Sequence, residues 1–375
     1  MNELLKELDA SAFLRSLAAR SAAAASAPQG LPDQADGARR LAALRHPREQ
    51  RLRVVSRKEQ PGGACLFTLE SAEEKPLAGF LPGQTLSVTV PVDGVPLSRP
   101  YSLCSSPNDK EYQLCVKPVP GGLVSNAILR DWQPGTWVTA SDPWGDFVHE
   151  PLRDAPLVIA AAGGSGVTPF LSMARAIHDG LLQHELIILS GSKSLKDALL
   201  LPELQEACCD RVRVIPVPEE RDGFIDREML LHAAAGRPFS LFLCGPEAMV
   251  EALSDQMADC PGLRSLRREV PAECPVLPGE AVHITLIAPD GSCVIPGSTG
   301  VTLLRSLEIA GIAHPNRCRG GVCGFCHTRL LSGRVRIPEG RDHRRQADES
   351  FGFIHPCCAL PLEDVTLECP YLLAK

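Results

Sequence analysis

Cys318-Arg-Gly-Gly-Val-Cys323-Gly-Phe-Cys326, close to the C-terminal end, is the stretch on which the reading of the whole chain turns. Its C-x₄-C-x₂-C spacing supplies three of the four thiolates of a plant-type [2Fe–2S] cluster. Iron bridged by sulfide favours soft anionic donors, so a fourth cysteine is expected, and Cys357 lies downstream to provide it. Gly320, Gly321 and Gly324 let the loop wrap closely, because backbone without Cβ atoms can approach the sulfurs and aim N–H groups at them. A zinc knuckle normally shows paired C-x₂-C units. Only one such unit occurs here, and the cluster is the stronger reading. The upstream sequence then reads as machinery for delivering electrons to it.

At 375 residues the chain has room for two or three domains. Apolar residues make up 44% and charged residues 22%, as in ordinary soluble proteins. A net charge of −7 is mild and gives no case for nucleic-acid binding. No window approaches the roughly 18 uninterrupted apolar residues that a membrane helix needs. Glu3, Lys6, Glu7 and Asp9 are the wrong pattern for a secretory h-region. The fifteen cysteines, with four assigned to the cluster, follow no disulfide-scaffold rhythm, which predicts reduced thiols and a cytoplasmic protein.

Residues 1–45 place Leu4, Leu5, Leu8, Phe13, Leu14 and Leu17 at near-helical spacing, followed by Ala-rich sequence and the breaker-rich run Ala27 to Pro32. A short amphipathic helix and a linker are expected, packed on the chain's own body or mobile rather than docking a partner. Over 46–151 the runs become short, alternating and β-branched, as in Leu86–Pro91 and Tyr112–Lys117, with Pro-Gly turns between them. A small antiparallel barrel is predicted. Over 152–269 strands and helices alternate: Leu157–Ala162, Leu186–Ser190, Val212–Val217 and Ser240–Cys244 read as strands, and Pro169–Gly180 as a helix. That rhythm predicts a doubly wound α/β domain. Pro271, Pro275 and Pro278 mark 270–280 as a linker. The last domain, 281–375, opens with a hairpin from Val282 to Ile295 turning at Asp290-Gly291, and a helix over Val301–Ala310 precedes the cysteine loop.

Gly163-Gly164-Ser165-Gly166-Val167-Thr168-Pro169 follows a buried strand and opens a helix. Such a turn cradles a dinucleotide pyrophosphate, since glycines admit the phosphates and the helix start carries partial positive charge. It is not G-x-G-x-x-G, and a turn needing glycine for sterics alone has the same composition. Cys244-Gly245-Pro246-Glu247 ends another strand on the same edge of a parallel sheet, so the two turns together make a ligand crevice. A lone strand-end cysteine is otherwise usually core packing.

With these elements in this order, residues 50–375 resemble the ferredoxin–NADP⁺ reductase-like superfamily. More narrowly they resemble its three-domain reductases: phthalate dioxygenase reductase-like enzymes, reductase components of multicomponent oxygenases, and hybrid-cluster-protein reductases. The resemblance implies an antiparallel β-barrel flavin domain, an α/β doubly wound nicotinamide domain and an α+β (β-grasp) plant-type ferredoxin domain. Arg99-Pro-Tyr101-Ser102-Leu103 matches the family's R-x-Y-S segment. The match implies that Arg99 meets a flavin phosphate while Tyr101 and Ser102 lie against the flavin ring near N5. A cation suits a phosphate, an aromatic a flat ring, and a hydroxyl the polar flavin atoms. Lys117 to Asn126, with Gly121, Gly122 and Ser125, resembles the turn that holds the flavin pyrophosphate, and Pro143-Trp-Gly145-Asp-Phe147 the family's P-x-G-x-F. The domain order is that of FMN-using enzymes, whereas Ser105-Ser106-Pro107 and the Gly-Gly-x-x-Ser-Asn turn look like the FAD branch. FAD is therefore expected, with FMN left open.

The resemblance also places Thr168 and Cys244 at the nicotinamide ring and Gly163, Gly164 and Gly166 at its pyrophosphate, with Gly245 and Pro246 also binding the cofactor. Specificity would depend on Ser192 and Lys193, where a cation favours a 2′-phosphate. Relatives often carry Arg at the Lys193 position, so NADPH stays open beside NADH, which analogy favours. The family has Pro four residues after its last cluster ligand and Asp-Val at seven and eight. Pro361, Asp364 and Val365 match that count from Cys357, not from Cys358.

The implied chemistry converts a two-electron donor into a one-electron one. NAD(P)H gives hydride to flavin N5, and electrons leave singly through the cluster to a protein acceptor. Thr168 and Cys244 would position the ring, and Ser102 would assist at N5; no protein acid or base is required. The first acceptor reading is an oxygenase or hydroxylase, and the alternative a hybrid-cluster or other anaerobic metalloenzyme. A redox-sensing iron–sulfur flavoprotein is a third reading, which the complete hydride and flavin motifs oppose. The expected partners are a redox protein met transiently by a monomer, with no nucleic acid and no membrane span. Arg317, Arg319, Arg329, Arg334 and Arg336 crowd the cluster loop, either to meet an acidic acceptor surface or as a solvated basic loop.

Overall fold

The structure is a computed structural model that describes residues 49–73, 75–269, 274, 276–289 and 291–369. The helix and linker expected over residues 1–45 lie outside these, as do Pro271 and Pro275 of the 270–280 linker and Asp290 of the hairpin turn.

Leu52 and Val54 alternate with Arg51 and Arg53, which gives the first described strand one apolar face. That strand, β1 (Gln50–Gln60), is followed by β2 (Ala64–Ser71), β3 (Thr85–Val92), β4 (Val95–Ser102), β5 (Tyr112–Val116), helix α1 (Leu123–Asp131) and β6 (Trp137–Ala140). They pair antiparallel in the order β4-β3-β6-β1-β2-β5. A bridge from Leu103, just past β4, to Leu114 of β5 joins the two edges and closes the predicted barrel. Asp93 and Gly94 both have positive φ, 51° and 81°, which suits the tight β3–β4 hairpin. Inside, Phe67, Leu86, Val88 and Leu114 are wholly buried, and α1 adds Val124, Ala127 and Ile128. Each such large side chain contributes about 1.5–3 kcal/mol relative to exposure.

The next domain runs β7 (Leu157–Gly163), α2 (Thr168–His178), β8 (Glu185–Ser192), α3 (Leu201–Glu206), β9 (Val212–Pro218), α4 (Glu219–Asp222), α5 (Arg227–Ala234), β10 (Phe239–Cys244), α6 (Glu247–Met257) and β11 (Leu263–Glu269). All five strands are parallel, in the order β11-β10-β7-β8-β9. Ala160, Ala161, Ala162, Leu241, Phe242 and Leu243 are buried on both faces, as covered parallel strands require. After β9 the chain returns to the other side of β7, so the order reverses between β7 and β10. A crevice opens at the C-terminal ends of those two strands. Phe147, at the end of the barrel's sequence, packs against Phe170 of α2 and Phe242 of β10, with ring centroids 5.7 and 5.3 Å apart.

The last domain contains β12 (Ala281–Ala288), β13 (Gly291–Ser298), α7 (Leu303–Ile309), β14 (Thr328–Ser332), β15 (Val335–Arg336), α8 (Gln346–Ser350), β16 (Phe353–Ile354), β17 (Leu360–Pro361) and β18 (Val365–Glu368). Its sheet order is β13-β12-β18-β14-β16, with β12 and β18 parallel and the other pairs antiparallel. Leu303 and Leu307 of α7 pack with Ile284, Leu286, Val365 and Leu367 of the sheet, a helix lying on a mixed sheet as the β-grasp expectation requires. Thr302 caps α7, its Oγ1 accepting from the Arg305 N–H at 3.3 Å.

Candidate functional site

The cysteine loop connects α7 to β14. Backbone N–H groups of Gly320 and Cys323 donate to Cys318 Sγ, each at 3.4 Å, and that of Phe325 donates to Cys323 Sγ at 3.5 Å. Donors aimed at sulfur favour its anionic form. From beyond β16, the Cys357 thiol reaches both Cys318 and Cys326. Hydrogen bonds from Cys323 to Cys318 and from Cys357 to Cys326 hold the two acceptors below the ordinary thiol pKa. Cys358, also buried, hydrogen-bonds Cys357 and the carbonyls of His355 and Arg341, the last two at 3.4 and 3.6 Å. A Cβ on Gly321 would fall 2.4 Å from the Arg341 carbonyl oxygen, so only glycine fits this wall of the loop. Among the described residues no three His, Cys, Asp or Glu side chains are spaced to hold one metal ion. A dinuclear cluster divides its four thiolates between two irons, so the donor set here fits [2Fe–2S].

At the crevice the two turns touch. A Cβ on Gly166 would lie 2.0 Å from the Cys244 carbonyl oxygen, one on Gly163 would lie 2.6 Å from Pro246 Cδ, and one on Gly245 2.9 Å from the Gly163 nitrogen. The steric requirement and the crevice are thus one feature. Thr168 opens α2 beside it, its Oγ1 donating to the Ser165 carbonyl at 2.9 Å. Lys117 Nζ, from just past β5, would lie 3.8 Å from a Cβ on Gly164, so the barrel's lysine reaches the nicotinamide-side turn. Ser192 Oγ donates to the Ser194 carbonyl at 2.8 Å, and Lys193 is exposed.

Glu269, the last residue of β11, completes this edge and carries no motif. Its carboxylate accepts from Thr85 Oγ1 at 3.4 Å and from Cys244 Sγ at 3.8 Å, and Thr85 is the register partner of Ser102. Burial pushes the Glu269 carboxyl up from 4.5 to about 7, and burial also raises the Cys244 thiol. The folded chain therefore holds this proton more tightly than the unfolded chain. Its contribution to stability is present below about pH 4.5 and fades as pH rises to about 7. Glu269→Gln, which cannot ionise, is expected to gain on the parent in thermal-unfolding midpoint between about pH 5 and about pH 8. A midpoint difference that stays flat across that range would refute the raised Glu269 carboxyl.

On the barrel side, Tyr101 and Ser102 are half-buried at the end of β4, whereas the Leu103 side chain belongs to the barrel core. Gly121 has φ +66°, and a Cβ on Gly122 would fall 2.6 Å from Ser125 Oγ at the start of α1. This tight turn faces the last domain: Arg305 of α7 donates to the Gly121 carbonyl at 3.5 Å. Arg99 makes two bonds to Glu308 of α7, both 3.0 Å, and Arg319 makes two more to the same carboxylate, at 2.8 and 3.1 Å.

These contacts correct the reading of two of the cluster-loop arginines, Arg317 and Arg319. Arg319 is 2% exposed, so it is unable to meet an outside surface. Arg317 pairs with Asp142 and lies over the rings of Trp144 and Phe325, 5.4 and 5.7 Å from their centroids. Both were pulled inward because a buried or half-buried carboxylate on another segment offers a closer partner than solvent does. Arg329 and Arg334 have acidic partners within the same domain, Glu368 at 3.9 Å and Glu363 at 3.0 Å, and Arg336 is exposed.

Family models match three consecutive stretches: an oxidoreductase FAD-binding domain over residues 52–149, an oxidoreductase NAD-binding domain over 161–255 and a 2Fe-2S iron-sulfur cluster binding domain over 287–362. The phenoxybenzoate dioxygenase subunit beta of Ectopseudomonas oleovorans is 30% identical over 287 residues, covering 74% of this chain and 83% of that protein. The chain belongs to the three-domain reductases of the ferredoxin–NADP⁺ reductase-like superfamily. The glycine betaine monooxygenase reductase subunit of Pseudomonas aeruginosa is 27% identical, over 79% of this chain and 89% of that one. The structure of phthalate dioxygenase reductase has the same fold, with a TM-score of 0.64 at 24% identity, over 85% of this chain and 98% of that one. Flavohemoprotein A of Dictyostelium discoideum is 30% identical, and the chain spans 57% of its length.

This reductase is accordingly an NAD(P)H-dependent oxidoreductase that uses FAD and a [2Fe–2S] cluster. Two of its residues escaped sequence reading. Glu269 looks like an ordinary charge ending Leu263–Glu269, and only the sheet order brings it to Cys244. Glu308 did leave a signal: with Leu304 and Leu307 it falls on the apolar stripe of α7, where an acidic residue needs a buried partner.

Proposed function

We propose that this reductase serves an oxygenase, drawing electrons from NAD(P)H and releasing them one at a time to that partner through the exposed edge of its cysteine loop. The observation that carries this is the loop's two-sided setting. Cys318, Cys326 and Cys357 are buried and Arg319 ties the loop inward to the flavin segment, while Cys323, Val322 and Phe325 are exposed. An oxygenase as acceptor is supported by the monooxygenase reductase subunit and the dioxygenase subunit among its relatives.

When bound, FAD supplies the conversion between two-electron and one-electron transfer. The chain's own residues hold and align the partners. Arg99, Lys117, Gly121, Gly122 and Ser125 would receive the flavin phosphates, and Tyr101, Ser102 and the Leu103 main chain its ring side. Gly163, Gly164 and Gly166 would receive the nicotinamide pyrophosphate, with Thr168, Cys244, Gly245 and Pro246 at the ring and Ser192 and Lys193 at the ribose. Glu269 would hold a proton beside Cys244 and the hydroxyl of Thr85. Cys318, Cys323, Cys326 and Cys357 would ligate the cluster. The cysteine spacing follows no disulfide scaffold, which supports a reducing compartment such as the cytoplasm. Among the described residues no helix is long and apolar enough to cross a membrane. The protein would act as a monomer that meets its acceptor transiently.

Anaerobic titration of the purified protein with NADH, and separately with NADPH, tests the route. Bleaching of the flavin band together with a rhombic [2Fe–2S] EPR signal is expected, NADH being the more effective donor. Flavin bleaching that never yields the cluster signal would overturn the route, and a stronger response to NADPH would overturn the donor preference.

A further inference from the structure

We propose that Glu308 is a positioning residue for flavin-to-cluster electron transfer, joining the flavin segment and the cluster loop on one buried carboxylate. This rests on the electron route set out above.

Glu308 Oε1 accepts from Arg99 at 3.0 Å and from Arg319 at 2.8 Å, and Oε2 accepts from the same two guanidiniums at 3.0 and 3.1 Å. Arg99, Arg319 and Glu308 are 9%, 2% and 5% exposed. Two parallel N–H···O bonds to each guanidinium fix direction as well as distance. Arg99 belongs to β4 of the barrel, in the same run as Tyr101 and Ser102, and Arg319 follows cluster cysteine Cys318 directly. The carboxylate therefore spans the domain boundary between the two places whose separation governs electron transfer. A structural role confined to the last domain would need Arg319 alone.

Three further observations converge on the same joint. Arg319 has φ +56°, a left-handed conformation that a non-glycine residue keeps only where its surroundings enforce it. The Gly320 and Cys323 N–H groups that follow this kink are the ones aimed at Cys318 Sγ. Arg305, one turn before Glu308, bonds the Gly121 carbonyl of the phosphate turn and lies 4.0 Å from the Glu308 carboxylate. Remove the negative charge, and two buried guanidiniums face each other across a neutral group, which weakens this joint even though the Arg305–Gly121 and Arg317–Asp142 contacts remain. Electron tunnelling falls exponentially with distance, so even a slight parting of the domains should slow the step. Hydride entry is laid out at the β7/β10 crevice by other residues, Gly163 to Thr168 and Cys244 to Pro246, and should not feel it.

The test compares Glu308→Gln and the charge-preserving Glu308→Asp with the parent, each as the full-length holoprotein. Anaerobic stopped-flow mixing with NADH reads two phases, flavin bleaching and then cluster reduction. In Glu308→Gln the first is expected to stay within about twofold, while the second slows by roughly tenfold or more, with Glu308→Asp in between. Independently of turnover, hydrogen exchange should rise in residues 95–102 and 303–320 of Glu308→Gln but less in Glu308→Asp. Cluster reduction at the parental rate in Glu308→Gln would overturn the proposal, as would equal slowing of both phases. Loss of iron from both variants would also overturn it, by assigning Glu308 to building the loop. If Glu308→Gln does not fold, Glu308→Asp carries the same comparison. Failure of the parent itself to pass electrons from NADH to the cluster would instead sink the electron route.

Discussion

Cys357→Ser is expected to strip the purified reductase of its cluster, taking iron from about two atoms per chain to near zero. NAD(P)H-driven reduction of a one-electron protein acceptor such as cytochrome c should fall by roughly 100-fold or more, beyond the 10–100-fold that loss of an outer partner typically costs at metal sites. The reason is geometric. Cys357 brings the thiol that meets Cys318 and Cys326, and a serine hydroxyl there is a hard donor that stays protonated. Reduction of ferricyanide, which can take electrons from the flavin, should survive. Cys358→Ala is the control: its thiol contacts the carbonyls of His355 and Arg341, so iron content should hold. Iron retained in Cys357→Ser and lost in Cys358→Ala would reverse the assignment.

Gly166→Ala is expected to cripple nicotinamide binding, raising the KM for NADH by about tenfold or more and costing about 1–3 kcal/mol of stability, as overpacking does. The added methyl would sit 2.0 Å from the Cys244 carbonyl oxygen and 2.7 Å from the Gly245 nitrogen. Both obstacles are backbone, so no rotamer change relieves them and the two turns must part. Gly79→Ala is the matched control. No heavy atom lies within 4 Å of its Cβ position, and its effect should remain within about 0.5 kcal/mol. Urea unfolding and a nicotinamide titration of both variants check the pair. Wild-type affinity in Gly166→Ala would mean that the turns do not form the pocket jointly.

Much of this protein was legible because the signals are local. Three cluster thiolates fall within a nine-residue stretch, and the glycines that let the loop close stand between them. The period-two runs of the barrel and the alternation of buried strands with helices announce two domain types, since each period reports the face that an element buries. The turn at Gly163–Thr168 could be recognised from its place after an apolar strand. Its contact with the Cys244–Pro246 turn could not, because it depends on β10 lying beside β7.

What the amino-acid sequence determined by itself was the cluster loop, the order and class of the three domains, and the carriers they hold, because each is encoded over a few neighbouring residues. Tertiary structure alone decided where the charges go. Arg99 and Glu308 are 209 residues apart, Arg317 and Asp142 are 175 apart, and Thr85 and Glu269 are 184 apart. A sequence shows that an arginine is charged but not which carboxylate the fold will carry to it. Desolvation then turns that meeting from a weak surface contact into a structural joint, since a buried charge must be paired. That is why Arg319, which reads as part of an outward basic loop, instead ties the cluster loop through Glu308 to Arg99 of the flavin segment.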